Sequence, residues 1–216
     1  MKTTTTLKEF LAGIIFLLKI FWRIRKFDLH SRNQWIQYFD RSCREPATQY
    51  EKLELLKSFS KGNQFWIETG TFMGYTTRGL SLVSKKVISL EPSEIYFGVA
   101  SKNLTDVKNV AIINTTSEDG LLSAIDQIPK GSHINFWLDG HYSAGNTFLG
   151  ANHCPVEQEL GIIRSRLSEI NVKIFIDDFR LFGTEEGYPT KDYLVNWSRD
   201  NGFSWSVEKD IFILSK

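Results

Sequence analysis

Residues 64–74 read Gln-Phe-Trp-Ile-Glu-Thr-Gly-Thr-Phe-Met-Gly, and how this stretch is parsed decides the fold. Gln64 to Glu68 is a short apolar run closed by a carboxylate, the pattern of a buried strand. Thr69, Gly70, Thr71 and Gly74 then form a turn, with glycine at its first bend and at the entry to a helical pattern from Gly74 to Val83. Backbone can come close to a ligand at such a turn. Strand, glycine turn and helix together open a βαβ unit. The spacing is Gly-x-x-x-Gly, which lacks the third glycine of the turn that cradles a dinucleotide pyrophosphate, and this disfavours a nicotinamide- or flavin-dependent oxidoreductase.

Outward from the turn the chain alternates. Val87 to Glu91, Val110 to Asn114, Ile134 to Asp139 and Lys173 to Asp177 read as further strands. Ser93 to Leu104, Ser117 to Gln127 and Pro155 to Ile170 read as helices, the last opening on a proline suited to a first helical turn. The strands are nearly continuous in apolar residues, as central parallel strands covered on both faces require, and Trp66 and Trp137 within them belong to the core. Phe203 to Val207 and Asp210 to Leu214, joined by Glu208-Lys209, suit an antiparallel hairpin at a sheet edge. The expectation is an α/β protein: a doubly wound, Rossmann-like, seven-stranded sheet, mostly parallel with a C-terminal antiparallel hairpin, preceded by N-terminal helices.

Open α/β sheets bind ligands outside the carboxyl ends of their strands, and acidic residues gather at those ends here: Glu68, Glu91, Asp139, Asp177 and Asp178. Such a rim receives hydroxyls, a cation, or both. Glu91 follows Gly74 at the length of one βαβ step, where a carboxylate can accept both hydroxyls of a ribose. Turn and Glu91 together read as a nucleoside site that does not require a diphosphate.

These residues resemble the class I S-adenosylmethionine-dependent methyltransferases, which carry an acidic-x-Gly-x-x-x-Gly turn and an acidic residue ending the second strand. The resemblance covers about residues 60–216. Within it, Leu138-Asp-Gly-His-Tyr142 and Ile176-Asp-Asp-Phe179 are similar to segments of the metal-dependent O-methyltransferases of the macrocin and mycinamicin type, and of related small enzymes of bacterial sugar and polysaccharide pathways. The resemblance implies cofactor contacts from Glu68, Thr69, Gly70, Thr71, Gly74 and Asp139, with Gly70 under the methionine portion and Glu91 on the ribose. It places Ser117 and Glu118 beside the adenine and makes Asp139, Asp177 and Asp178 ligands of a magnesium ion. Three carboxylates from two strand ends suit a hard, oxygen-preferring cation of that kind. Zinc is not indicated, since His141 and His153 lack the short two-histidine helical spacing of common zinc sites. An alcohol acceptor needs its proton removed or its oxygen bound to a metal. His141, two residues past Asp139, is the candidate base and with Asp139 forms the catalytic pair. Tyr142, Asn146, His153 and Arg180 follow strand ends and are candidate acceptor contacts.

The chain has 216 residues, 26 Lys and Arg against 25 Asp and Glu, and 42% hydrophobic residues. That is one domain with an appendage, ordered, and without the basic excess that nucleic-acid binding calls for. Cys43 and Cys154 form no CxxC pair, which points to a reduced, intracellular setting. The neutral total conceals an arrangement, because through Arg32 seven Lys and Arg face two Asp and Glu, and beyond it 19 face 23. Phe10 to Trp22 is apolar all round, broken only by Lys19 and followed by Arg23, Arg25 and Lys26. It falls short of the roughly 20 residues that span a bilayer, and no secretory cleavage site follows it. Peripheral membrane contact through residues 7–26, at the cytoplasmic face, and packing against protein both remain open.

The expected organisation is thus a basic apolar helix over 1–31, a helical cover over 32–60 carried by Trp35, Ile36 and Phe39 and by Leu53, Leu55, Leu56 and Phe59, and a cofactor-binding domain over 61–216. The expected activity is magnesium-assisted O-methylation of a hydroxyl on a sugar or other small polar acceptor. A membrane-associated binding protein that keeps the fold without catalysis is the alternative.

Overall fold

The computed structural model describes residues 36, 37, 39, 46–60, 62, 64–140 and 154–216. The apolar basic segment over 1–31 lies outside the described residues. The chain divides into two units, Met1–Gln49 and Tyr50–Lys216. In the first, Ile36 and Phe39 are helical and exposed. Among the described residues no helix is long and apolar enough to cross a membrane.

Helix α1 (Gln49–Ser58) runs into the second unit. There follow β1 (Phe65–Thr69), α2 (Tyr75–Ser81), β2 (Lys86–Leu90), α3 (Glu94–Asn103), β3 (Val110–Ile113), α4 (Ser117–Asp126), β4 (His133–Leu138), α5 (Val156–Arg164) and β5 (Asn171–Ile176). A 3-10 turn at Phe179–Leu181, α6 (Lys191–Asp200), β6 (Ser204–Glu208) and β7 (Ile211–Ser215) complete the chain. The seven strands lie in the order β3-β2-β1-β4-β5-β7-β6, with β7 antiparallel to β5 and to β6 and every other pair parallel. The expected sheet is therefore the one found.

Successive side chains of a strand point to opposite faces, and the two cores divide on that rule. Trp66, Val87, Trp137, Phe175, Ile211 and Ile213 form one cluster with Leu56 of α1 and Leu80 of α2. Ile67, Ile88, Phe136, Ile174 and Phe212 alternate with them and pack with Leu121 and Ala124 of α4 and Leu160 and Ile163 of α5. Both faces of the central strands are covered, which is why these carry no polar alternation, whereas the edge strand β6 is exposed and alternates as Ser-Trp-Ser-Val-Glu.

Three local differences from the sequence pattern have physical causes. The helix expected over Pro155 to Ile170 stops at Arg164, after which Ser165, Arg166 and Leu167 donate to the carbonyls of Ile162, Ile163 and Arg164 in tighter three-residue turns. Helix α6 has no counterpart in the sequence reading, because only Leu194, Trp197 and Ser198 are buried on an otherwise polar segment. In the hairpin the two-residue turn is Lys209-Asp210 and not Glu208-Lys209. Both turn residues take positive φ, 53° and 63°, as a turn matching the strand twist demands.

Candidate functional site

The sheet order reverses between β1 and β4, so the carboxyl ends of these two strands flank the switch point where ligands of such sheets bind. The turn after β1 is pressed against the end of β4. Asp139 N donates to Thr69 O at 3.1 Å, and Gly70 has φ +87° with its α-carbon so placed that a Cβ would stand 2.4 Å from the Asp139 carbonyl oxygen. Only glycine fits there. Gly74 closes the turn at φ +81°, its amide donating to Thr71 O at 2.8 Å, and begins α2. Thr71 is buried, its hydroxyl 2.6 Å from that of Ser89.

Glu91, one residue past β2, ties two loops together. Its carboxylate accepts from Phe72 N at 2.7 Å and from Ser93 N at 3.0 Å, and its carbonyl accepts from the Asn114 side chain at 2.7 Å. Burial raises its pKa, and the backbone amides of Phe72 and Ser93 pull it back. Phe72, which the sequence did not single out, sits at φ 49° with its ring centroid 4.5 Å from that of Tyr96. The amide held by Glu91 accounts for a left-handed conformation at a residue with a bulky side chain. Ser117 and Glu118 open α4 beyond β3, the Ser117 hydroxyl donating to Glu118 Oε2 at 3.2 Å.

Glu68 lies inside β1 and not at its end, because Thr69 still pairs with Leu90 and Leu138. It is fully buried, accepting on Oε2 from Thr77 Oγ1 at 2.5 Å and Ser89 Oγ at 2.6 Å, while Oε1 has no hydrogen-bond partner. Burial pushes its pKa up to about 7.

The remaining carboxylates meet two cations. Asp177 and Asp178 follow β5, and Lys52 of α1 donates to Asp177 Oδ1 at 2.5 Å and to Asp178 Oδ1 at 3.0 Å. Arg180 donates to Asp178 Oδ1 at 2.6 Å and also to Asp210 Oδ2, and Asp210 Oδ1 accepts from Arg180 N at 2.8 Å. Burial opposes the charge on Lys52, but Asp177 and Asp178 outweigh it and hold the pKa above its ordinary value, with Asp139 adding to the effect. Lys52 and Asp210 escaped the sequence reading. One signal was present for Lys52, which falls four residues before Leu56 and so shares the buried face of α1.

This arrangement does not fit a magnesium ion. Mg2+ needs oxygen ligands at about 2.0–2.1 Å and keeps several waters, whereas here the aspartate oxygens face an ammonium and a guanidinium. Among the described residues no three Asp, Glu, His or Cys side chains converge to hold a metal. His141, Tyr142, Asn146 and His153 lie outside the described residues.

No protein-family model and no curated protein matches the chain. Solved structures do. A Streptococcus mutans protein provisionally assigned as a methyltransferase, in complex with S-adenosylhomocysteine, is 19% identical, with a TM-score of 0.53 over 79% of this chain and 96% of its own. A Clostridium thermocellum protein provisionally assigned as an rRNA methylase is 14% identical, with a TM-score of 0.54 over 76% and 93%. Precorrin-6y C5,15-methyltransferase from Geobacter metallireducens is 15% identical, with a TM-score of 0.51 over 78% and 88%. The chain has the Rossmann-like fold found in S-adenosylmethionine-dependent methyltransferases, with their C-terminal antiparallel hairpin.

Proposed function

We propose that this protein is an S-adenosylmethionine-dependent methyltransferase that methylates a hydroxyl of a sugar or another small polar acceptor. The observation that carries the reading is the Glu68–Gly74 turn at the switch point, where Gly70 leaves no room for a Cβ against Asp139 and Glu91 stands one strand away. Bound there, the cofactor supplies an electrophilic methyl group on a sulfonium.

The chain's own residues would then act as follows. Gly70 lets backbone approach the methionine portion. Both Glu91 oxygens accept from backbone amides, and a carboxylate with about four acceptor sites keeps capacity for a ribose hydroxyl. Asp139 follows β4 beside Gly70, and Ser117 and Glu118 are the adenine-side candidates. His141 is the candidate base. It would take the acceptor's proton as the oxygen attacks the methyl carbon in line, the carbon–sulfur bond breaking to leave a neutral thioether.

The macrocin and mycinamicin likeness of the Asp139 and Asp177-Asp178 segments supports a sugar hydroxyl as the acceptor. Residues 7–26 are proposed as a peripheral membrane contact, supported by the cations that flank their apolar run.

Calorimetric titration of S-adenosylhomocysteine into the full chain tests the central reading. Saturable binding that Glu91→Ala abolishes is the expected result. Absence of binding to folded protein, or a larger thermal shift with NADH, would sink it.

A further inference from the structure

Asp139, Asp177 and Asp178 are the carboxylates whose sequence pattern suggests a metal, and the same three act electrostatically on Lys52. The two nearest oxygens are filled. Asp177 Oδ1 accepts from Lys52 Nζ at 2.5 Å and from Asp178 N at 2.8 Å. Asp178 Oδ1 accepts from Lys52 Nζ at 3.0 Å and from Arg180 Nη1 at 2.6 Å. A carboxylate oxygen offers about two lone-pair sites, so neither atom has one left for a cation.

Two features fix this ammonium in place. Lys52 and Leu56 are the buried residues of α1, one helical turn apart, and Leu56 is locked in the cluster with Trp66, Trp137 and Phe175. Asp178 takes φ 51°, so the chain turns there in a conformation that brings both carboxyl groups onto the one nitrogen. Replacing a buried ion pair by well-packed apolar residues is often neutral or stabilising, so a lysine held by two carboxylates points to a task beyond stability.

We infer that the ammonium of Lys52 stands where a metal-dependent relative would hold its divalent cation, so that this end of the site is built around a charge carried by the chain itself. The assignment rests on the methyltransferase reading only in taking this for the acceptor end. Lys52 is then a positioning residue that holds Asp177 and Asp178 in their places. Transfer at this site needs no added metal and a chelator leaves it unchanged.

The test uses the full chain with MgCl2 and MnCl2 as probes. Wild type is expected to give no saturable heat with either salt and the same Tm in MgCl2 as in EDTA. Lys52→Ala is expected to melt lower, to acquire saturable divalent binding and to regain part of its Tm in MgCl2. Adding Asp177→Asn to that variant is expected to cancel both gains, which a merely structural lysine would not produce. Saturable divalent binding to wild type that Asp177→Asn removes would overturn the inference, as would a folded Lys52→Ala that ignores both salts. Should Lys52→Ala fail to fold, wild type still decides. A slowly exchanging Lys52 15Nζ resonance that MnCl2 leaves sharp supports the inference, and its absence or its broadening by MnCl2 defeats it. S-adenosylhomocysteine titrated into the same wild-type sample keeps the two readings apart. Loss of that binding alone removes the methyltransferase proposal and leaves Lys52 where it is assigned.

Discussion

At the scale of single residues, buried Glu68 makes stability depend on pH. Its folded pKa of about 7 lies above its ordinary value of 4.5, so the folded protein holds a proton that the unfolded chain has already lost between those two values. Stability from this group is complete below pH 4.5 and declines as pH rises towards 7, by up to about 3 kcal/mol. Glu68→Gln should remove that decline, and urea unfolding of both proteins at acid and neutral pH checks it. An equal slope in the two would exclude Glu68 as the cause. Gly70→Ala combines a left-handed φ of +87° with a Cβ 2.4 Å from the Asp139 carbonyl oxygen. It should cost about 1–3 kcal/mol and weaken S-adenosylhomocysteine binding, and wild-type affinity in the variant would show that the turn does not approach the cofactor. The glycine was plain in the sequence because its reason is local. The pairing of Glu68 with Thr77 and Ser89 was not, because these lie nine and 21 positions further along the chain.

At the scale of elements, α1 is the clearest gain over the sequence. Its apolar residues marked it as a cover, but they did not say that the cover also delivers Lys52 to the end of β5. Leu56→Ala would empty a fully buried position between α1 and the sheet and should cost about 2–5 kcal/mol by chemical denaturation. A cost below that of an exposed substitution would mean that α1 does not pack as described. Helix α6 depends on its cap, Thr190 Oγ1 accepting from Tyr193 N at 3.1 Å. Thr190→Ala should lose about 1 kcal/mol, read as a lowered Tm without change in cofactor affinity. This helix was missed because its apolar stripe is narrow. The five parallel strands were legible within a residue or so because cover on both faces of the sheet makes each a nearly continuous apolar run.

At the scale of the whole molecule, two parts of unlike charge share one chain, a basic apolar leader and a mildly acidic domain. The proposed membrane contact predicts that the full chain floats with anionic vesicles, that a chain beginning near Arg32 does not, and that salt weakens the association. Equal flotation of the two would assign residues 7–26 to packing against protein. The sequence by itself determined the α/β class, the parallel sheet with its terminal hairpin, the glycine turn and the rim of carboxylates, since each follows from residue type and spacing along a short stretch. Only the tertiary structure decided how those carboxylates are matched. Lys52 and Asp177 are 125 residues apart, and Arg180 and Asp210 are 30 apart. A carboxylate at a strand end takes a metal or an ammonium equally well by composition, and the choice depends on which cation the folded chain brings within hydrogen-bond reach.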